Sequence, residues 1–131
     1  MDRFYIIYLY ISRRGGYAYS IVIENHYGLV IDLWCRYVGH IGYRETLKKA
    51  IVDSLREVFK MGLSDDPIIL MVKDSKSARE YIDSNDFKEL IKPFREIKVS
   101  LTSRWRYKRC IDLVRFCIDN RLERYPPSKL L

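Results

Sequence analysis

The chain has 131 residues, 48% hydrophobic and 31% charged, with 24 Lys and Arg against 17 Asp and Glu for a formal charge of +7. That length suits one domain with a real core and excludes two, and the balance of apolar and charged residues fits a soluble globular protein. The first apolar stretch, residues 4–11, is too short and too rich in tyrosine for a membrane span or signal-peptide core, so a cytoplasmic location with no membrane partner is expected.

Residues 4–12 are β-branched and aromatic and read as a first strand. Arg14-Gly15-Gly16 makes a turn, residues 17–24 a second strand, Asn25 to Gly28 another turn, and residues 29–37 a third strand. Turns this short imply an antiparallel meander. After a break at residues 39–42, Leu47, Ile51, Leu55, Val58 and Phe59 recur at helical spacing across residues 43–60, closed by Gly62. The outer face of that helix is basic: Arg44, Lys48, Lys49, Arg56 and Lys60. Residues 67–72 form a continuous apolar run, expected to be a central strand buried on both faces.

A short helix over residues 75–83 follows, with Ser75 as N-cap, then a helical turn over 87–91 and a strand over 97–101. Cys110, Leu113, Val114, Cys117, Ile118 and Leu122 form one apolar stripe across residues 107–124, a closing helix stopped by Pro126-Pro127. The expected domain is residues 1–125, with 126–131 as a C-terminal tail.

Glutamine is absent and asparagine occurs three times, while Arg, Lys, Ile and Tyr abound, a depletion of thermolabile amides that points to a heat-adapted, archaeal source. Three cysteines, Cys35, Cys110 and Cys117, form no Cys-x-x-Cys spacing, which argues against zinc and for small buried hydrophobes. Cys110 and Cys117 lie about 10 Å apart along one expected helix, too far to bond each other.

Charge is spread unevenly. Between residues 88 and 109, eight basic side chains face two acidic ones, so +6 of the formal +7 lies in that segment. Within it, Arg104-Trp105-Arg106-Tyr107-Lys108-Arg109 alternates permanent cations with two flat rings, the chemistry that holds phosphates and stacks on bases. The plainer alternative is a solvated helix start whose two rings dip into the core. Tyr8 and Tyr10 on the first strand, and Tyr17 and Tyr19 on the second, alternate with period two. Antiparallel pairing could bring the two pairs together, either as a core cover or as an open stacking platform beside Arg13 and Arg14. His26 and His40 fall in turns without a nucleophile motif, and no glycine-rich phosphate loop occurs.

The order of elements, a three-stranded antiparallel meander and then α-β-α-β-α, is similar to that of the ribonuclease H family, an α/β fold with a mixed five-stranded sheet. Gly15-Gly16-Tyr17-Ala18 resembles the family's Gly-Gly-Tyr-Gly turn into its second strand, and Leu47-Lys48-Lys49-Ala50-Ile51-Val52 resembles its first helix. Ile68-Ile69-Leu70-Met71-Val72-Lys73-Asp74-Ser75 resembles its hydrophobic strand ending in Thr-Asp-Ser, and Arg109-Cys110-Ile111-Asp112-Leu113 the start of its last helix. The resemblance implies two divalent metals held by carboxylates from the first strand, first helix, fourth-strand end and last helix. Here only Asp74 falls cleanly on such a position. The first strand carries no acid, the first helix offers Thr46 with Glu45 beside it, and the last helix offers Ile111 with Asp112 beside it. One residue turns a helical side chain by about 100°, so Glu45 and Asp112 would need a register change to join Asp74.

Three functions are therefore open. The first is a non-catalytic nucleic-acid-binding protein without a cofactor, favouring single-stranded DNA or RNA because exposed bases reward aromatic rings. Its anchors would be Arg104, Arg106, Lys108 and Arg109 on phosphates, Trp105 and Tyr107 on bases, and Arg13 and Arg14 as a second basic point. The second is a metal-dependent nuclease using Asp74, Glu45 and Asp112, with Asp32 or Asp53 as substitutes. The third is a structural or interaction protein, such as a homodimer, built on exposed tyrosines and the last helix.

Overall fold

Ile7 and Leu9 point one way from the first strand and Tyr8 and Tyr10 the other, and that alternation divides the molecule. The computed structural model describes residues 2–103 and 107–127. The strands β1 (Tyr5–Arg13), β2 (Tyr17–Asn25) and β3 (Val30–Gly39) form the meander, followed by α1 (Tyr43–Lys60) and β4 (Ile68–Lys73). Then come α2 (Lys76–Ile82), α3 (Asn85–Ile91), β5 (Ile97–Thr102) and α4 (Lys108–Asp119). The sheet order is β3-β2-β1-β4-β5, antiparallel across β1 to β3 and parallel across β1, β4 and β5. This is the mixed five-stranded sheet that the sequence predicts.

One face is aliphatic. Ile7, Leu9, Ile21, Ile23, Leu70 and Val72 meet Leu47, Ile51, Leu55 and Val58 of α1, and Ala78, Tyr81 and Phe87 extend the same core. The helix ends where Gly62 takes φ 77°, with Gly62 N–H donating to the Phe59 carbonyl and Leu63 N–H to that of Val58. That pair of bonds is a Schellman motif, and it needs a residue free to go left-handed. Ser75 caps α2 by accepting from Ala78 N–H at 3.0 Å, and Ser84 caps α3 through Phe87 N–H at 3.2 Å. The expectation that β4 is buried on both faces needs correction. Ile68, Leu70 and Val72 are buried, but Ile69 and Met71 on the other face are only half-covered, because α4 packs over β1, β2 and β3 instead.

The second face carries α4, seated through Val114 and Ile118 on Ala18 and through Cys110 on Val22. Polar atoms lock it: Ser20 Oγ donates to the Cys110 carbonyl at 2.7 Å. Cys35 and Cys117 meet here, and the Cys35 thiol is pushed up by donating to the Cys117 sulfur and by burial, while the same bond lowers Cys117. Burial pushes the Cys110 thiol up to about 12.

Two further expectations change. The closing helix stops at Asp119 rather than residue 124, because Arg121 adopts φ 48° and the chain turns onto the outer edge of β3. There Tyr37 N–H donates to the Leu122 carbonyl at 2.8 Å, and Cys35 and Tyr125 exchange backbone bonds at 2.7 and 2.9 Å. The four strand tyrosines do not gather on one face either. Tyr8 lies opposite Val22 and Tyr10 opposite Ser20, whereas Tyr19 lies opposite Ile11 and Tyr17 opposite Arg13. Cross-strand partners share a face, so Tyr8 and Tyr10 lie under α4 while Tyr17 and Tyr19 belong to the α1 side.

Candidate functional site

The C-terminal ends of parallel β1 and β4 open onto a cavity of about 210 Å³, the place where open α/β sheets gather ligands. Leu9, Tyr10 and Ile11 come from β1, Tyr43 and Leu47 from α1, and Val72, Lys73, Asp74 and Ser75 from the end of β4. Asp74 is the single carboxylate in this wall. Its N–H donates to the Thr102 carbonyl at 2.9 Å, and its side chain faces Arg79 Nε at 3.5 Å.

The other acids of the metal hypothesis lie elsewhere. Glu45 pairs with Lys48 at 3.7 Å and Asp112 with Lys108 at 2.9 Å, both on helix surfaces and neither lining the cavity. Asp32 accepts from Leu33 N–H at 2.8 Å. Asp53 accepts from the Tyr19 hydroxyl and from Arg36 at 2.8 Å, between α1 and the sheet. Burial, and then the bond to Asp53, hold the Tyr19 phenol well above its ordinary range. Among the described residues no group of three His, Cys, Asp or Glu side chains could hold a metal ion. The remaining positions, 1, 104–106 and 128–131, contribute none of those residue types. This donor set does not fit a two-metal centre. His26 tilts against Tyr27 at 4.1 Å, and His40 is exposed.

Of the basic and aromatic segment, Arg104, Trp105 and Arg106 lie outside the described residues. Tyr107 stands at the N-cap of α4, its ring stacked on Tyr8 at 4.1 Å and its hydroxyl bonded to the Glu24 carboxylate. Burial and Glu24 hold that phenol up as well. One face of the ring is thus already used inside the protein. Lys108 is 90% exposed beside Asp112, and Arg109 is exposed.

At the far end of α4, Arg14 pairs with Asp119 at 2.8 Å, and Arg13 lies over the Tyr17 ring at 5.7 Å. Arg13, opposite Tyr17, thus belongs to the α1 side of the sheet, whereas Lys108 and Arg109 at one end and Arg14 at the other mark the outward surface of α4. Sequence reasoning missed three members of it. Arg115 and Phe116 sit exposed between the two ends, with Phe116 tilted against Tyr125 at 4.7 Å. Arg121 donates to the Tyr37 hydroxyl at 2.8 Å and to the Gly15 carbonyl at 3.3 Å. Placed inside a helix by its spacing, Arg121 could have been rescued only by reading Asn120 as a helix end.

This architecture is ribonuclease H-like. No family model and no curated protein matches the chain, whereas solved structures do. RNase H1 from Halobacterium salinarum aligns with TM-score 0.71 and 18% identity over 89% of this chain and 98% of its own. LC11-RNase H1, solved in complex with an RNA/DNA hybrid, gives 0.71 and 19% over 88% and 97%. The N-terminal RNase H domain of a Mycobacterium tuberculosis protein gives 0.67 and 18% over 92% and 96%. No helix among the described residues is long and apolar enough to cross a membrane.

Proposed function

We propose that this protein binds nucleic acid along the outward surface of α4 without cleaving it, and that it favours single strands. The observation that carries the reading is the run of five cations, Lys108, Arg109, Arg115, Arg14 and Arg121, on or beside α4, against the helix's two carboxylates, Asp112 and Asp119. A helix of 12 residues is about 18 Å long, enough to follow several successive backbone phosphates. Phe116 and Tyr125, each about 40% exposed, offer ring area beside those charges, and Trp105 adds a ring in the adjoining sequence. Aromatic surface next to phosphate contacts rewards bases that are not already stacked in a duplex. The binding of an RNA/DNA hybrid by LC11-RNase H1 supports a nucleic-acid partner for this fold.

The test is fluorescence anisotropy with labelled single-stranded DNA, single-stranded RNA and an RNA/DNA hybrid at two salt concentrations, without divalent metal. Single strands should bind most tightly, and Arg109→Ala with Arg115→Ala should flatten the logarithmic salt dependence by about 1.4, or ~0.7 for each phosphate no longer neutralised. Unchanged affinity and slope in that variant, or no binding to any probe, overturns the reading.

A second reading is favoured by Asp74 alone, because it lines the strand-end cavity. It requires Mg²⁺- or Mn²⁺-dependent cleavage that Asp74→Asn abolishes, and cleavage by the native chain would replace the first reading.

A further inference from the structure

On the other side of the sheet, the C-terminal half of α1 and the turn after α3 enclose an apolar groove of about 290 Å³. Leu55, Phe59, Leu90, Pro93 and Phe94 line it, and Phe59, 51% exposed, meets Phe94 edge-on at 6.0 Å. Among the described residues only two charged side chains line it, Arg56 and Lys60, and neither makes an ion pair there. Of the other cations of the same helix, Arg44 faces Glu80 at 4.0 Å and Lys48 faces Glu45 at 3.7 Å, while exposed Lys49 lies away from the groove lining.

We propose that this groove docks an amphipathic helix of a partner protein, with leucine or phenylalanine anchors in the groove and acidic residues four apart along its flank. Arg56 and Lys60 are themselves four residues apart, about 6 Å along the α1 axis. Carboxylates at the same spacing on a helix lying beside α1 would meet both, while apolar residues at i, i+3 and i+4 fill the groove. A second copy of this +7 chain would bring like charge to the rim. A nucleobase would press its ring nitrogens and oxygens against Leu55, Leu90 and Pro93, whose side chains offer no hydrogen bond, and burying such groups unpaired is costly. An apolar protein side chain carries no such cost.

The experiment titrates the full chain into a labelled synthetic helical peptide with Leu and Phe on one face and Glu four apart beside them. The same peptide with Lys for Glu is the control. The acidic peptide should bind about tenfold or more tightly than the lysine peptide, a difference of about 1.4 kcal/mol. Phe59→Ala should weaken it by a similar factor. The exposed pair Arg56→Glu and Lys60→Glu, which no core contact depends on, should reverse the preference between the peptides. Equal affinity for both peptides, no saturable binding to either, or no change in the charge-reversed variant overturns the proposal. So does an oligonucleotide whose binding requires Phe59, or a dimer in sedimentation that Phe59→Ala dissociates.

Discussion

The two faces of the sheet are built from the same strands and hold their helices by different means. Under α1 the contact is mainly apolar, with Ile7, Ile21, Ile23 and Trp34 packed with Leu47, Ile51 and Leu55; its polar side chains are Tyr19, bonded to Asp53 with Arg36, and Thr46 and Ser54, which bond local carbonyls. Under α4 the contact is narrower and polar atoms recur within it: Ser20 on Cys110, Cys35 beside Cys117, Tyr107 on Tyr8. The first face supplies most of the burial that stabilises the fold. The second face fixes where one helix lies, and that helix carries the charge. Position can be set by a few directional bonds even where little apolar area is gained.

This contrast can be broken by substitution. Ile51→Ala, in the fully buried α1 face, should cost about 2–5 kcal/mol in urea unfolding. Asp53→Asn should cost about 1–3 kcal/mol, because it strips the half-buried Arg36 of its counter-charge and weakens the Tyr19 bond. The Tyr19 phenol is raised above its ordinary 10.0 by burial and by Asp53, so the folded state favours its protonated form. That contribution is present below pH 10 and is lost as pH rises beyond it. Native protein should therefore lose stability above pH 10 more steeply than Tyr19→Phe in pH-dependent thermal unfolding.

On the other face, Ser20→Ala should cost about 1 kcal/mol and speed hydrogen exchange in α4 before it does so in α1. Lys108→Ala, at an exposed pair with Asp112, should shift stability by no more than about 0.5 kcal/mol. If Ser20→Ala instead matched Ile51→Ala, α4 would belong to the main core and the contrast would fail.

Most of the fold was legible because its signals are local. The turn residues Gly15, Gly16 and Gly28, the helical spacing of Leu47 to Val58, and the cap at Ser75 each act within a few residues. The tyrosine arrangement failed on register. The three-residue turn between Arg13 and Tyr17 pairs even-numbered residues of β1 with even-numbered residues of β2, which sends Tyr8 and Tyr10 to one face and Tyr17 and Tyr19 to the other. The end of α4 failed because Leu122 continues the apolar stripe, although its carbonyl bonds Tyr37 on β3, a tertiary contact that no local pattern encodes. Of the candidate site, the cations were legible by type. The approach of Arg14 to α4 was not, because it depends on the pair with Asp119 across 105 residues.

The return of the chain onto β3 has a consequence for how copies of this protein coexist at high concentration. A strand at the rim of a sheet is a template for strands from other molecules, because its unmatched backbone donors and acceptors can continue the ladder. Here Cys35 and Tyr37 spend those groups on Tyr125 and Leu122. A strand from another molecule would have to displace residues 122–125 to pair with that stretch of β3.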